Sequence, residues 1–112
     1  MSTIIIGGDV CPRGKVENAF KNGEEEKILN DLLPVFKDAD FRVINLESPL
    51  ITKESPIEKD GPVLDAHIDT VNGLRAMGLD AVNLANNHIL DHGEEGLIST
   101  IETCKKHNID FF

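Results

Sequence analysis

Apolar residues along the chain follow two alternating patterns. Short apolar runs at residues 3–6, 41–46, 81–85 and 109–112 predict four buried strands. The order β-α-β-α-β-α-β predicts an α/β fold with a parallel sheet, right-handed crossovers and helices covering the sheet. Between the runs, apolar residues recur at the spacing of an amphipathic helix: Ile28, Leu29, Leu32, Leu33 and Phe36, then Ile68, Val71, Leu74 and Met77, then Leu97, Ile98, Ile101 and Cys104.

Glycine and proline refine the predicted boundaries. The first strand is expected to stop at the two glycines that follow it, and Gly78 stands where a glycine commonly ends a helix. Pro34 interrupts the first helical stretch and should kink it or start a second short turn. We expect residues 11–23 to form a loop. Residues 48–66 contain three prolines and should form a long loop, of a kind that often carries function.

Composition limits the domain count and the classes of partner. At 112 residues, of which 40% are hydrophobic, the chain predicts one globular domain. A net charge of −9 and the absence of tryptophan and tyrosine argue against a nucleic-acid partner. Two cysteines without a CxxC motif indicate a reducing compartment, and we see no secretory signal or apolar stretch of membrane-spanning length. We therefore expect a soluble, cytoplasmic protein without a membrane span.

Polar side chains that can bind a metal follow three of the four predicted strands. Asp9 follows the first strand, Asn45 and Glu47 lie at the end of the second, and Asn87 and His88 follow the third. In open parallel sheets, sites form outside the carboxyl ends of the strands, so we expect these groups to converge. Carboxylates, amides and an imidazole suit a divalent cation bound by oxygen and nitrogen, with a histidine near the substrate.

Each of these residues also has a structural interpretation. Asp9 could be a turn aspartate after two glycines, and Asn86 and Asn87 could occur because asparagine tolerates left-handed backbone. His88 could be a satisfied structural histidine. Glu47 is harder to explain in this way, since a charge at the end of an apolar strand needs a partner. The coincidence of such groups at three strand ends favours a site.

Neighbouring residues are assigned more ordinary roles. Asp91 is expected to cap the start of the last helix, and His92 could be merely exposed. Cys11 could ligate a soft metal but is more simply a loop thiol. Lys53 and Lys59 in the long loop could meet an anionic substrate, although most loop lysines are only solvated. The sequence lacks the glycine patterns of dinucleotide and P-loop sites and the GxSxG nucleophile motif.

Four segments carry a family resemblance: GGDV, DADFRVINLESPL, EKDGPV and GLDAVNLANNHILDHGEEGLISTIETCKKHNI. The block ANNH..D.G..G...T within the last segment is the most specific part. In this order the segments resemble the bacterial capsule-synthesis protein family of the CapA type, which is linked to poly-γ-glutamate production and is similar to the calcineurin-like metallophosphoesterases. The resemblance implies that residues 1–112 are the N-terminal portion of one such domain, the first half of a four-layer αββα fold.

The resemblance also implies a metal-dependent hydrolase site. Asp9 would be a metal ligand, and Glu47 or Asn45 would occupy the place of the bridging aspartate of the phosphoesterases. Asn87 would correspond to the asparagine ligand of their Asn-His motif. His88 would correspond to the adjacent histidine, which stabilises charge or protonates the leaving group. The cofactor would be a divalent ion of the Mn, Zn or Fe class, and the substrate a phosphoester or another anionic small molecule or polymer.

Two departures from the phosphoesterase pattern leave a second interpretation open. The phosphoesterases place a histidine two residues after the first aspartate, where this chain has Cys11. The family's domain is also much longer than the 112 residues of this chain. The same residues could therefore form a non-catalytic metal- or polymer-binding site in capsule assembly. In a partial domain the apolar sheet would be left bare, so we also expect an exposed hydrophobic face or self-association.

Overall fold

Six strands form two parallel sheets in the computed structural model, which describes all residues, Met1–Phe112. The larger sheet has the strand order β1-β2-β5-β6, and β3 pairs with β4 in a separate two-stranded sheet. The predicted α/β fold with a parallel sheet is therefore confirmed. The strands are β1 (Ile4–Val10), β2 (Phe41–Leu46), β3 (Leu50–Ile51), β4 (Ala66–His67), β5 (Ala81–Asn83) and β6 (Asp110–Phe111).

Five α-helices connect the strands, and none of them has both the length and the apolar character needed to cross a bilayer. Pro34 lies in the first turn of α3, so the predicted interruption of the first helical stretch is confirmed. Gly78 has a φ of 74° just after α4, as its expected role requires. The expected loop at residues 11–23 was wrong in part, because α1 forms within it. The helices are α1 (Glu17–Lys21), α2 (Glu25–Leu29), α3 (Leu33–Asp38), α4 (Val71–Ala76) and α5 (Gly93–Lys106).

Strand β1 continues through the glycines at which it was expected to stop. Ile6 pairs with Val43 and Asp9 pairs with Asn45, so β1 uses three residues where β2 uses two. The extra residue is a β-bulge, a feature that commonly redirects a side chain. Without it, strict alternation would place Gly8 beside Asn45 and turn Asp9 to the other face. The bulge therefore aims Asp9 at the same side of the sheet as Asn45.

One face of the larger sheet is packed against helices and the opposite face is open. On the packed face, Ile44 and Leu46 are 3% and 0% exposed and belong to a core that helical side chains complete. On the open face, Ile4, Ile6 and Phe41 are 62%, 81% and 39% exposed. Because Asn45 alternates with Ile44 along β2, Asn45 and its paired residue Asp9 lie on the open face.

Candidate functional site

A row of polar side chains crosses the open face near the carboxyl end of the larger sheet. Asp9, Asn45 and Asn83 occupy paired positions on β1, β2 and β5. Asn45 Nδ2 donates a hydrogen bond to Asp9 Oδ1 at 2.7 Å, and Asn83 Nδ2 donates to Asn45 Oδ1 at 2.9 Å. The strand register therefore brings two of the predicted site residues, Asp9 and Asn45, into direct contact.

Asn86 sets the direction of the hydrogen bonds in this row. Its Nδ2 donates to the Leu46 carbonyl at 2.9 Å and to Asn45 Oδ1 at 3.0 Å, while its Oδ1 accepts from the His88 backbone N–H at 3.0 Å. Because one backbone partner of Asn86 is an acceptor and the other is a donor, only one orientation of its amide satisfies both. The Asn86 N–H group then faces Asn45, so the Asn45 amide must turn its oxygen toward Asn86. Asn45 must turn its N–H toward Asp9, while its carbonyl oxygen accepts two hydrogen bonds.

His88 is buried beside this row and is oriented by Asp91. His88 Nδ1 lies 2.6 Å from Asp91 Oδ2, and Asp91 is 1% exposed. Burial favours the neutral Asp91 carboxyl, but hydrogen bonds from the Leu64 backbone, Lys59 and His88 outweigh it, and the pKa of Asp91 is lowered. An ionised carboxylate can only accept, so His88 carries its proton on Nδ1. The His88 Nε2 atom, which makes no protein hydrogen bond, then presents a lone pair.

His92 is held in the opposite tautomer. The Ser55 backbone N–H donates to His92 Nδ1 at 2.9 Å, so the neutral ring carries its proton on Nε2. That Nε2 atom is buried without a hydrogen-bond partner, and Asp65 Oδ2 lies 3.5 Å from it. Of the two histidines four residues apart, only His88 presents a nitrogen that can accept a proton or bind an ion.

The other two predicted ligands, Glu47 and Asn87, are not joined to the row by side-chain hydrogen bonds. Glu47 is half-buried, and its backbone N–H donates to the Val10 carbonyl at 2.9 Å. Asn87 is exposed, and its carbonyl oxygen lies 3.4 Å from Lys59 Nζ. No three His, Cys, Asp or Glu side chains are grouped to hold an ion. The predicted metal ligands are a different kind of group, because they combine two carboxylates, Asp9 and Glu47, with the side-chain amides of two asparagines.

Two structural interpretations of these residues are excluded. Asp9 lies within β1 and not in a turn. Asn30 and Asn108 are the only residues other than glycine that have a positive φ angle, so the φ angles of Asn86 and Asn87 are negative. Tolerance of left-handed backbone therefore does not explain the asparagine pair.

The expectations for Asp91 and His92 were wrong. Helix α5 begins at Gly93, its preceding residue His92 makes no side-chain cap, and Asp91 instead binds His88 and the long loop. His92 is buried, not exposed, at 2%. The spacing His88-x-x-Asp91 was the available signal for their pairing. The pairing was not predicted, because an aspartate just before a helix usually caps that helix and Asp91 was assigned to that role.

Cys11 stands on the loop after β1 and is half-buried. Burial raises the pKa of the Cys11 thiol, and the neighbouring Ser48 hydroxyl opposes this only in part. Because metals bind the thiolate, a raised pKa disfavours Cys11 as a soft-metal ligand.

Comparison with known proteins identifies capsule-synthesis relatives. A family model described as "Bacterial capsule synthesis protein PGA_cap" matches residues 3–112. The PGA biosynthesis protein CapA of Bacillus subtilis (strain 168) is 27% identical over 104 residues, which cover 92% of this chain and 27% of that protein. The capsule biosynthesis protein CapA of Bacillus anthracis is 27% identical over 112 residues, covering 97% of this chain and 27% of that protein. The chain spans about a quarter of the length of these curated relatives.

Proposed function

Because the chain belongs to the bacterial capsule synthesis protein family, we propose that it serves poly-γ-glutamate capsule synthesis through a metal-dependent, phosphoesterase-like hydrolase site. The single observation that carries the proposal is the polar row that links Asp9 to Asn45 and, through Asn86, to His88. The position of residues 1–112 within a longer domain stays a prediction.

The available oxygens fit a divalent ion in part. Asp9 keeps Oδ2, and Glu47 and Asn87 keep their side-chain oxygens, without protein hydrogen bonds. Carboxylate and amide oxygens suit a hard or borderline cation. Asn45 is different, because its carbonyl oxygen already accepts two hydrogen bonds and would have to give up at least one of them to bind an ion. We therefore propose Asp9, Glu47 and Asn87 as ligands and Asn45 as the residue that positions Asp9.

The chain's own residues supply the remaining chemistry. When bound, a divalent ion supplies polarisation of an anionic substrate and activation of water. Asn45 donates to Asp9 Oδ1, which leaves the other carboxylate oxygen, Oδ2, without a protein hydrogen bond. His88, with its lone pair on Nε2, accepts a proton or, once protonated there, donates one to a leaving group. Asp91 stabilises the charge that His88 then carries.

Metal titration of this chain tests the proposal. Mn²⁺ and Zn²⁺ are titrated by calorimetry into the wild type, Asp9→Asn and Asp38→Asn, the last being an exposed aspartate at the end of α3. We expect saturable binding in the wild type and Asp38→Asn, and at least a tenfold weaker association in Asp9→Asn, which is about 1.4 kcal/mol. Binding that is equal in all three proteins would remove Asp9 from the site and the proposal with it.

A non-catalytic metal- or polymer-binding role is the second candidate. The observation in its favour is the saturation of the amide network, in which Asn45, Asn83 and Asn86 all make hydrogen bonds within the protein. Such a network can hold the carboxyl end of the sheet rigid without taking part in a reaction. Metal binding without Mn²⁺-dependent hydrolysis of p-nitrophenyl phosphate would favour this role. Hydrolysis that His88→Ala leaves unchanged would also favour it.

A further inference from the structure

The proposed site carries more negative than positive charge. Neither Asp9 nor Glu47 forms an ion pair with a lysine or arginine. The charge of Asp91 is different, because Lys59 Nζ lies 2.8 Å from its Oδ1 and balances it. A divalent ion would balance Asp9 and Glu47 and leave no charge over. An anionic substrate would therefore still lack a positively charged partner, and arginine suits that role because it pairs with phosphate and carboxylate through two hydrogen bonds.

The two lysines of the long loop do not supply this partner. Lys59 is held by the Asp91 carboxylate. Lys53 lines a depression of the surface beside Glu95 and Ser99 of α5, and no residue of the polar row lines that depression. The partner is therefore expected on another segment that borders the site.

Arg13 is a positive charge without an ion pair on the loop that follows β1. Its side chain is exposed, and the one hydrogen bond that its guanidinium makes is long, from Nη1 to the Val63 carbonyl at 3.5 Å. The backbone that carries it is held in place, because Pro12 is buried and the Arg13 backbone N–H donates to the Cys11 carbonyl at 2.8 Å. The guanidinium group can therefore bind a ligand without breaking a strong contact.

The loop of Arg13 begins beside Glu47. It leaves β1 after Val10, whose carbonyl accepts the Glu47 backbone N–H at 2.9 Å. Burial is the main cause of the raised pKa of the Cys11 thiol, but the Glu47 charge also raises this pKa and the Arg13 charge lowers it. Such effects weaken with distance, so Glu47 and Arg13 both lie near the same thiol.

The Arg13 side chain also reaches the segment that contacts Asp91. Val63, whose carbonyl lies next to the guanidinium, is followed by Leu64, whose backbone N–H donates to Asp91 Oδ2 at 2.7 Å. Arg13 thus stands between the end of β1, where Asp9 lies, and the part of the long loop that borders the turn of Asp91. A substrate at the polar row would have this guanidinium at its edge.

We propose that Arg13 binds the phosphoryl group of the substrate. A guanidinium can form two parallel hydrogen bonds with phosphoryl oxygens. A phosphoryl group carries about −1.5 to −2 charges at pH 7, so it gains more from this partner than a carboxylate with a single charge does. The inference rests on the proposed function and names the chemical group that the site selects. It concerns binding and can be measured without turnover.

Calorimetric titration of phenylphosphonate into the whole chain, with and without Mn²⁺, tests the inference. Wild type, Arg13→Gln, Arg13→Lys and Arg75→Gln are compared. Arg75 is an exposed arginine on α4 that forms no ion pair, and its replacement removes the same charge as Arg13→Gln does. With Mn²⁺ present, we expect equal affinity in the wild type and Arg75→Gln and at least tenfold weaker binding in Arg13→Gln. Arg13→Lys should lie between them, because an ammonium group lacks the paired donors.

Benzoate has the same ring as phenylphosphonate and tests the choice of anionic group. We expect the wild type to bind benzoate at least tenfold more weakly than phenylphosphonate, and equal affinities would overturn the assignment to a phosphoryl group. Equal weakening in Arg13→Gln and Arg75→Gln would also overturn the inference, because only net charge would then matter. So would a wild-type chain that binds no phenylphosphonate under either condition.

The same titrations separate this inference from the proposed function. Phenylphosphonate binding that depends on Arg13 in a chain that binds no Mn²⁺ would keep the inference and remove the proposed function. Mn²⁺ binding that depends on Asp9, together with phenylphosphonate binding that Arg13→Gln leaves unchanged, would do the reverse. If Arg13→Gln does not fold, Arg13→Lys decides, and an affinity equal to that of the wild type overturns the inference.

Discussion

At the scale of single residues, the chemistry of the site depends on which hydrogen-bond partner each side chain meets. His88 and His92 lie in one short turn, yet Asp91 and the Ser55 backbone place their protons on opposite nitrogens. The sequence predicts that His88 is a site residue. The tautomer of His92 has no local signal, because Ser55 lies in a distant loop. That of His88 depends on Asp91, only three residues away, and was not predicted because Asp91 was assigned to a helix cap.

The lowered pKa of Asp91 makes folding stability depend on pH. The pKa of Asp91 in the folded protein lies below the ordinary value of 3.8. The ionised carboxylate therefore stabilises the folded state fully above pH 3.8, and this stabilisation is lost as the pH falls through the folded-state pKa. At pH 7, Asp91→Asn should lower the free energy of unfolding by about 3 kcal/mol, since it leaves the Lys59 charge without its partner. The difference from the wild type should shrink toward pH 2.

Urea unfolding of the wild type and Asp91→Asn from pH 7 to pH 2 measures this difference. The exposed Asp38→Asn is the control and should remain within about 0.5 kcal/mol of the wild type at every pH. A difference for Asp91→Asn that is the same at both ends of the pH range would show that Asp91 does not carry the effect.

At the scale of elements, the helix and strand order follows from apolar spacing, but the path of β1 does not. The spacing of the apolar runs predicts β2 with the bounds that the structure has, because a half-buried strand has to alternate. The glycines of β1 look like a strand end, and only pairing with β2 shows that they form a bulge. Placing Asp9 beside Asn45 therefore depends on a register that no local pattern encodes.

The two glycines of the bulge should respond differently to substitution. A Cβ built at Gly7 would lie 2.7 Å from Ile44 Cγ2, whereas one built at Gly8 meets nothing within 4 Å. Because Ile44 is buried, we expect Gly7→Ala to lower the free energy of unfolding by about 1–3 kcal/mol. Gly8→Ala should change it by less than about 0.5 kcal/mol. Urea unfolding of both variants measures the difference, and equal stabilities would argue against the close approach of β1 to Ile44.

At the scale of the whole molecule, the helices cover one face of the larger sheet only. Parallel sheets are usually covered on both faces, and here the open face presents Ile4 and Ile6 on β1 beside Phe41 on β2. The sequence predicts a bare apolar surface from the family resemblance. Which face is bare follows only from the structure, since the run of isoleucines in β1 reads as equally apolar on both sides.

The open face should bind an apolar dye and promote self-association. Contiguous exposed apolar side chains favour contacts that remove them from water, while the net charge of −9 opposes association, so we expect association to increase with protein concentration and with salt. Sedimentation velocity and anilinonaphthalene fluorescence measure the two effects. Ile6→Lys, at a residue 81% exposed, should reduce both, whereas Ile98→Lys on α5, at a residue 51% exposed, should change neither. A wild-type chain that remains monomeric at high salt and binds no dye would show that the exposed isoleucines do not act as one surface.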